Sequence, residues 1–268
     1  MSRKSGRSMR KPSTAIMTTV FKEDTWVEGV EILASNPKVM HHANLFWNQM
    51  GFPFSIEGFI AAQVPGGDSM MLGKGTGFLI PKNSFLCLSI HYVTTGKEER
   101  DRISVGLVFS KQTVERRLHH LLVGNSTFEI PPGESSHRVI AEKALPVDAT
   151  GVWLYPHMHL RGRDMTISAV QEGGATNVLL QVPNYSFDWQ SSYRWAPDTV
   201  RFKKGTVIRC VAHFDNSRFN PYNPDPEMAV TYGFDTFHEM LYGFLAYTAT
   251  DEKLNVKIDP STGHVREN

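Results

Sequence analysis

The residues of this chain best equipped for chemistry are its histidines, 11 in 268 positions, accompanied by 11 methionines and only 2 cysteines. Two of them, His157 and His159, stand one residue apart in "VWLYPHMHLRG" (152–162). Side chains alternate along a strand, so positions i and i+2 share a face about 6–7 Å apart, and two imidazoles so placed can reach one metal ion. Two partly exposed histidines near a strand end satisfy the same letters, and an isolated His-x-His is more often that. His41 and His42 in "NPKVMHHANLFW" (36–47) are adjacent. On a regular strand they face opposite sides, so they can serve one site only at a strand end or an irregularity. His91, late in "LSIHYVTTG" (88–96), is by itself a core or edge histidine, and Met240, just after His238 in "HEML", is by itself a core methionine.

The elements that must carry these residues are strands. Short apolar or alternating runs are cut every 8 to 15 residues by Gly, Pro, Asn and Asp, and little helical periodicity is present. The clearest strands are 85–93, 103–110, 151–160, 165–170, 178–182 and 206–214, with turns at "EGG" (172–174) and "KKG" (203–205). "DNSRFNPYNPDPEM" (215–228) is a loop, because its prolines and Asn-Pro steps forbid a regular element. The pattern predicts an all-β chain of two antiparallel β-sandwich, jelly-roll-like domains. Residues 1–20 form a mobile basic N-terminus, 21–112 the first sandwich and 113–268 the second.

Composition narrows the function classes. A net charge of +1, with no basic stripe interleaved with aromatics, gives no sign of nucleic acid. No run approaches the ~18 apolar residues of a membrane span, and the basic, Ser-rich start lacks the apolar stretch of a signal peptide. Two cysteines far apart in sequence, Cys87 and Cys210, exclude a disulfide framework and a zinc knuckle.

Taken together, "MHHANLF" (40–46), "IHY" (90–92), "IPPGE" (130–134), "HMHLRGRDM" (157–165) and "TFHEM" (236–240) resemble, in order and across most of the chain, the copper type II, ascorbate-dependent monooxygenases. That family is represented by peptidylglycine α-hydroxylating monooxygenase and dopamine β-monooxygenase. "DWQ", "HFDNS" and "NPDP" are closer to its bacterial members. The resemblance implies two copper ions per chain, one on each domain and facing an interdomain cleft. His41, His42 and His91 would hold the first, and His157, His159 and Met240 the second. It further implies that ascorbate donates the electrons, that O2 is used at the second site to hydroxylate a small-molecule or peptide substrate, and that the first site stores an electron. Its location would be periplasmic or secreted. Imidazole suits copper generally and a thioether favours Cu(I), whereas zinc sites rarely recruit methionine.

Departures from the family pattern bear on the substrate. Peptide-amidating members hold a carboxylate-anchoring arginine two residues before the His-x-His, where this chain has Tyr155. They carry Asn and Tyr where this chain has Tyr242 and Phe244. A peptidyl-glycine substrate is therefore not expected, and nothing points to a catecholamine. The family's disulfide partner for the position of Cys210 is here Leu241, which implies a buried, unpaired thiol. Cys87 is either core or a thiol near the first site. Tyr155, Glu239 and His213 are the candidate partners of the metal ligands, with His213 more readily an organiser of its neighbouring loop. The expected activity is copper-dependent hydroxylation; a non-catalytic copper-binding or electron-transfer module is the alternative, and a β-sandwich with incidental histidines a third.

Overall fold

The computed structural model describes residues 13–49, 58–64, 69–93 and 95–266. The strands among the described residues form antiparallel sheets. Among the described residues no helix is long and apolar enough to cross a membrane. The chain divides into two units, one of residues 1–114 with 255–268 and the other of residues 115–254.

The first unit holds β1 (Ser13–Phe21), β2 (Thr25–Ala34), β3 (Met40–Gln49), β4 (Phe59–Gln63), β5 (Met70–Met71), β6 (Thr76–Ile80), β7 (Ser84–Tyr92) and β8 (Ile103–Phe109). One sheet has the order β1-β7-β3-β4. In the other, β2 pairs with β8 along most of its length and with β6 and β5 in turn. Two expectations change here. The stretch 13–20, expected to be mobile, belongs to β1, which pairs with β7 from Ser13↔Ile90 to Phe21↔Ser84. The free polar edge of β7 recruits it, since an unpaired edge is a template for another strand. Residues 1–12 lie outside the described residues. The tail 255–268, expected in the second sandwich, belongs to the first unit: Trp26 N–H donates to Gly263 O (2.7 Å), Thr25 bridges His264, and Ile258 is buried with Trp26 and Val114.

The second unit holds β9 (Arg116–Arg117), β10 (His119–Asn125), β11 (Glu129–Ile130), β12 (His137–Ala144), β13 (Ala149–His157), β14 (Gly162–Val170), β15 (Thr176–Val182), β16 (Tyr193–Arg194), β17 (Arg201–Phe202), β18 (Val207–Phe214), β19 (Val230–Thr231) and β20 (Leu241–Ala249). One sheet runs β10-β20-β13-β16, the other β12-β18-β14-β15. Their inner faces form one core, with Leu121, Val123, Leu154, Leu241 and Leu245 from the first and Val139, Met165, Ile167, Ile208, Cys210 and Phe214 from the second. β18 shows the expected period of two, every second residue from Ile208 to Phe214 being buried. Glycines at 173, 174 and 205 adopt positive φ at the two expected turns. Residues 215–228 contain no strand, as expected.

Cys210 is buried at the centre of this core, a free thiol whose pKa burial raises to about 12. Any Cβ at Gly243, on the facing sheet, would press into its Sγ. Gly243→Ala is therefore expected to lower stability by about 1–3 kcal/mol through overpacking. Urea unfolding of Gly243→Ala with and without Cys210→Ala should show the second change recovering part of the loss.

Candidate functional site

β13 ends at His157, and the chain leaves the sheet in a turn closed by Gly162 N–H donating to His159 O (3.2 Å). The His-x-His thus straddles a strand end instead of lying within a strand. The two rings are nevertheless neighbours, with centroids 5.2 Å apart and planes at 88°. Between them Met158 is fixed by a single hydroxyl: Met158 N–H donates to Tyr185 Oη (3.0 Å), which donates in turn to Met158 O (2.7 Å).

The hydrogen bonds orient both rings. Gln190 Nε2 donates to Phe187 O (3.1 Å), so its Oε1 is an acceptor, taking Tyr155 O–H (3.0 Å) and the Nδ1–H of His157 (2.7 Å). His159 Nδ1 lies 3.1 Å from His238 O, a carbonyl that can only accept. Nδ1 is thus the donor in both rings, which in a neutral His157 leaves the lone pair on Nε2. Burial lowers the pKa of His157 to about 4, with Gln190 opposing, so the ring is neutral at physiological pH.

What joins Met240 to this turn is Glu239. Its carboxylate accepts the backbone N–H groups of His159 (2.9 Å) and Arg161 (2.6 Å), and the N–H of Met240 as well. Burial pushes its pKa up to about 8 against those donors and Arg161. Arg161 is 2% exposed; its Nε donates to Asn216 Oδ1 and its Nη1 to Phe237 O, each at 2.9 Å. Asn216 in turn donates to Pro131 O and Met228 O, while its N–H reaches Glu134 O and Gly133 N–H reaches Pro226 O. The segments "IPPGE", "HMHLRGRD", "HFDNS", "NPDPEM" and "TFHEM" are thereby one polar network around the buried Arg161, Asn216 and Glu239, and its product is the placement of His159 and Met240.

The face of β13 and β20 that bears His157 is aromatic. Tyr155, two residues along β13, and Tyr242, the register partner of His157 on β20, have ring centroids 6.5 and 6.4 Å away from its ring and near-parallel planes. Phe187 sits edge-on to His159 at 5.7 Å. Tyr242 shares a hydroxyl–hydroxyl hydrogen bond with Tyr232. Of the three candidate partner residues, Tyr155 and Glu239 touch the site's support. His213 instead bonds Asp164 (2.7 Å), its register partner on β14.

In the first unit the register of β3 against β7 shifts between Met40 and His42. That bulge is the irregularity the adjacent histidines require, since it frees His41 from strict alternation. His41 Nδ1 and His42 Nδ1 approach to 2.9 Å, and His42 pairs across the sheet with His91, their rings stacked at 4.2 Å and 25°. Cys87 belongs to the core: it is buried, Asn48 Nδ2 donates to its Sγ (3.1 Å), and it stands four residues along β7 from His91, roughly 13 Å.

Among the described residues no three or more His, Cys, Asp or Glu side chains already converge as a metal site. In the first set the reason is visible. Imidazole lone pairs lie in the ring plane, and stacked rings such as His42 and His91 point theirs side by side, so one must turn for the three to share an ion. The second set offers two imidazoles held at Nδ1 by protein acceptors, near the buried Met240, a donor set that fits a soft cation. Gln190, Arg161, Asn216 and Tyr185 were not anticipated from the sequence as part of this support.

No protein-family model matches the chain, and no curated protein matches it. Among solved structures, the infectious bursal disease virus VP2 subviral particle aligns at 9% identity, covering 91% of this chain and 72% of that one, with a TM-score of 0.28. The Gt strain of the same virus gives 9% identity, the same coverages and a TM-score of 0.25. These likenesses are too slight to inform fold or function.

Proposed function

We propose that this chain is a copper-dependent monooxygenase that hydroxylates an organic substrate using O2 and ascorbate, of the copper type II kind whose motifs it resembles. The observation that carries the reading is the His157–His159 pair: both Nδ1–H groups are engaged by protein acceptors, and Glu239 ties the pair to Met240. His157, His159 and Met240 would hold one ion, and His41, His42 and His91 the other. Bound copper would supply one-electron redox chemistry and the activation of O2.

The remaining work belongs to the chain's own side chains. Gln190 and the His238 carbonyl orient the two imidazoles, Tyr185 holds the turn between them, and Phe187 shields the edge of His159 from water. The reading carries with it a periplasmic or secreted location.

Loading with copper is expected to give about two ions per chain, falling by one in His157→Ala or Met240→Ala. One ion or none in the unaltered chain would sink the two-site reading. A second reading, a non-catalytic copper-binding or electron-transfer module, is favoured by one observation. Tyr155 stands where peptide-amidating members anchor their substrate, and its hydroxyl is committed to Gln190. Copper at both sites without any compound stimulating ascorbate-dependent O2 uptake would decide for it.

A further inference from the structure

We propose that Gln190 is a positioning residue for the His157–His159–Met240 site, with Tyr155 as its support, and that its neutrality tunes the site toward Cu(I); this rests on the copper reading above. Gln190 is 2% exposed and lies 33 positions from its histidine, so only the fold brings the two together. Its amide orientation is set by the bond from Nε2 to Phe187 O. The two lone pairs of Oε1 are then spent on Tyr155 O–H and His157 Nδ1–H, which leaves His157 only Nε2 with which to ligate. Tyr155 is 3% exposed, and its hydroxyl holds the amide from the side opposite Phe187.

The acceptor type matters chemically. A carboxylate on the distal nitrogen of a ligating imidazole makes it a stronger donor and favours the higher oxidation state of the metal. Here both candidate ligands have neutral acceptors, an amide oxygen for His157 and a backbone carbonyl for His159. A thioether is the third donor of the set. That combination stabilises Cu(I), the state that reacts with O2. Tyr155 therefore belongs to the metal's support and not to substrate recognition.

The test uses the full chain carrying His91→Ala, so that copper at the second set is read alone. Cu(I) affinity is measured by competition with bicinchoninate. Pulsed EPR of the Cu(II) form reads the distal imidazole nitrogens, whose quadrupole couplings respond to the hydrogen bond at Nδ1–H. Gln190→Ala is expected to weaken Cu(I) binding about 10- to 100-fold and change one distal-nitrogen signal. Tyr155→Phe, which keeps the ring, should lose less than about tenfold. Gln190→Glu should restore binding of copper while lowering the Cu(II)/Cu(I) potential. That response is beyond a residue with a purely packing role, and with Tyr155→Phe it keeps the test open should the alanine variant not fold. Variants that match the parent in affinity, nitrogen signal and potential would overturn the inference and leave the copper reading standing. A parent that takes no copper at this set overturns both.

Discussion

Arg161→Ala is expected to destabilise the chain by about 3–5 kcal/mol, more than any other single substitution considered for the second unit. The guanidinium is almost wholly inaccessible, so no solvent screening softens its removal. Its loss removes one of two donors to Asn216 Oδ1 and the donor to Phe237 O, each bonded to it at 2.9 Å, and takes away the positive charge that opposes the raised pKa of Glu239. A shortened side chain also leaves a cavity beneath the His159 turn. Arg161→Met, which fills most of the same volume, should recover only the part of the loss that the cavity causes. Urea titrations of the parent, Arg161→Ala and Arg161→Met provide the check. A loss under about 1 kcal/mol in Arg161→Ala would show that the five segments are held by something other than this network.

The second large effect is acid destabilisation through His120. This residue lies on β10, half-buried, with its ring 5.1 Å from Trp153. Burial, and then the neighbouring His119 charge, lower its pKa from 6.5 to about 3. The unfolded chain therefore takes up a proton at this residue below pH 6.5 while the folded chain does not until about pH 3. Stability contributed by the neutral ring is complete above 6.5 and is lost as pH falls from 6.5 toward 3. Two pH units into that window, near pH 4.5, the loss is about 3 kcal/mol. Other buried groups titrate as well, Glu239 with the opposite sign, so the comparison is with His120→Leu. The difference in unfolding free energy between the two chains should shrink by that amount between pH 7 and 4.5. A difference that stays constant with pH would show that His120 is not held neutral.

The sheet architecture was readable because both units use plain alternation. β18 and β7 lie within a residue of the runs that announce them, and the turns at 172–174 and 203–205 carry the positive-φ glycines such turns demand. The His41–His42 pair stated its own requirement, an irregularity, and the register shift beside it meets that requirement. Less was legible where partners are distant. Gln190 stands out only as the last letter of "DWQ", Arg161 resembles any surface arginine in a turn, and Asn216 is one asparagine among several in a loop. Their importance comes from bonds spanning 33 to 85 positions, which no local pattern encodes. The tail 255–268 was misplaced for a related reason. It has few regular elements of its own, and its membership in the first unit rests on bridges to residues more than two hundred positions earlier.

That tail has a consequence for how the polypeptide comes into being. Since 255–268 belongs with 1–114, the second unit is an insertion in the first, and its two ends meet where Val114 and Val256 exchange both backbone hydrogen bonds. A ribosome delivers residues in order, so the inserted unit is complete in sequence by position 254, while the host still lacks the segment that caps Trp26. The later-encoded body can thus finish first, and the earlier one must wait, open at that edge, for the last residues of its own fold.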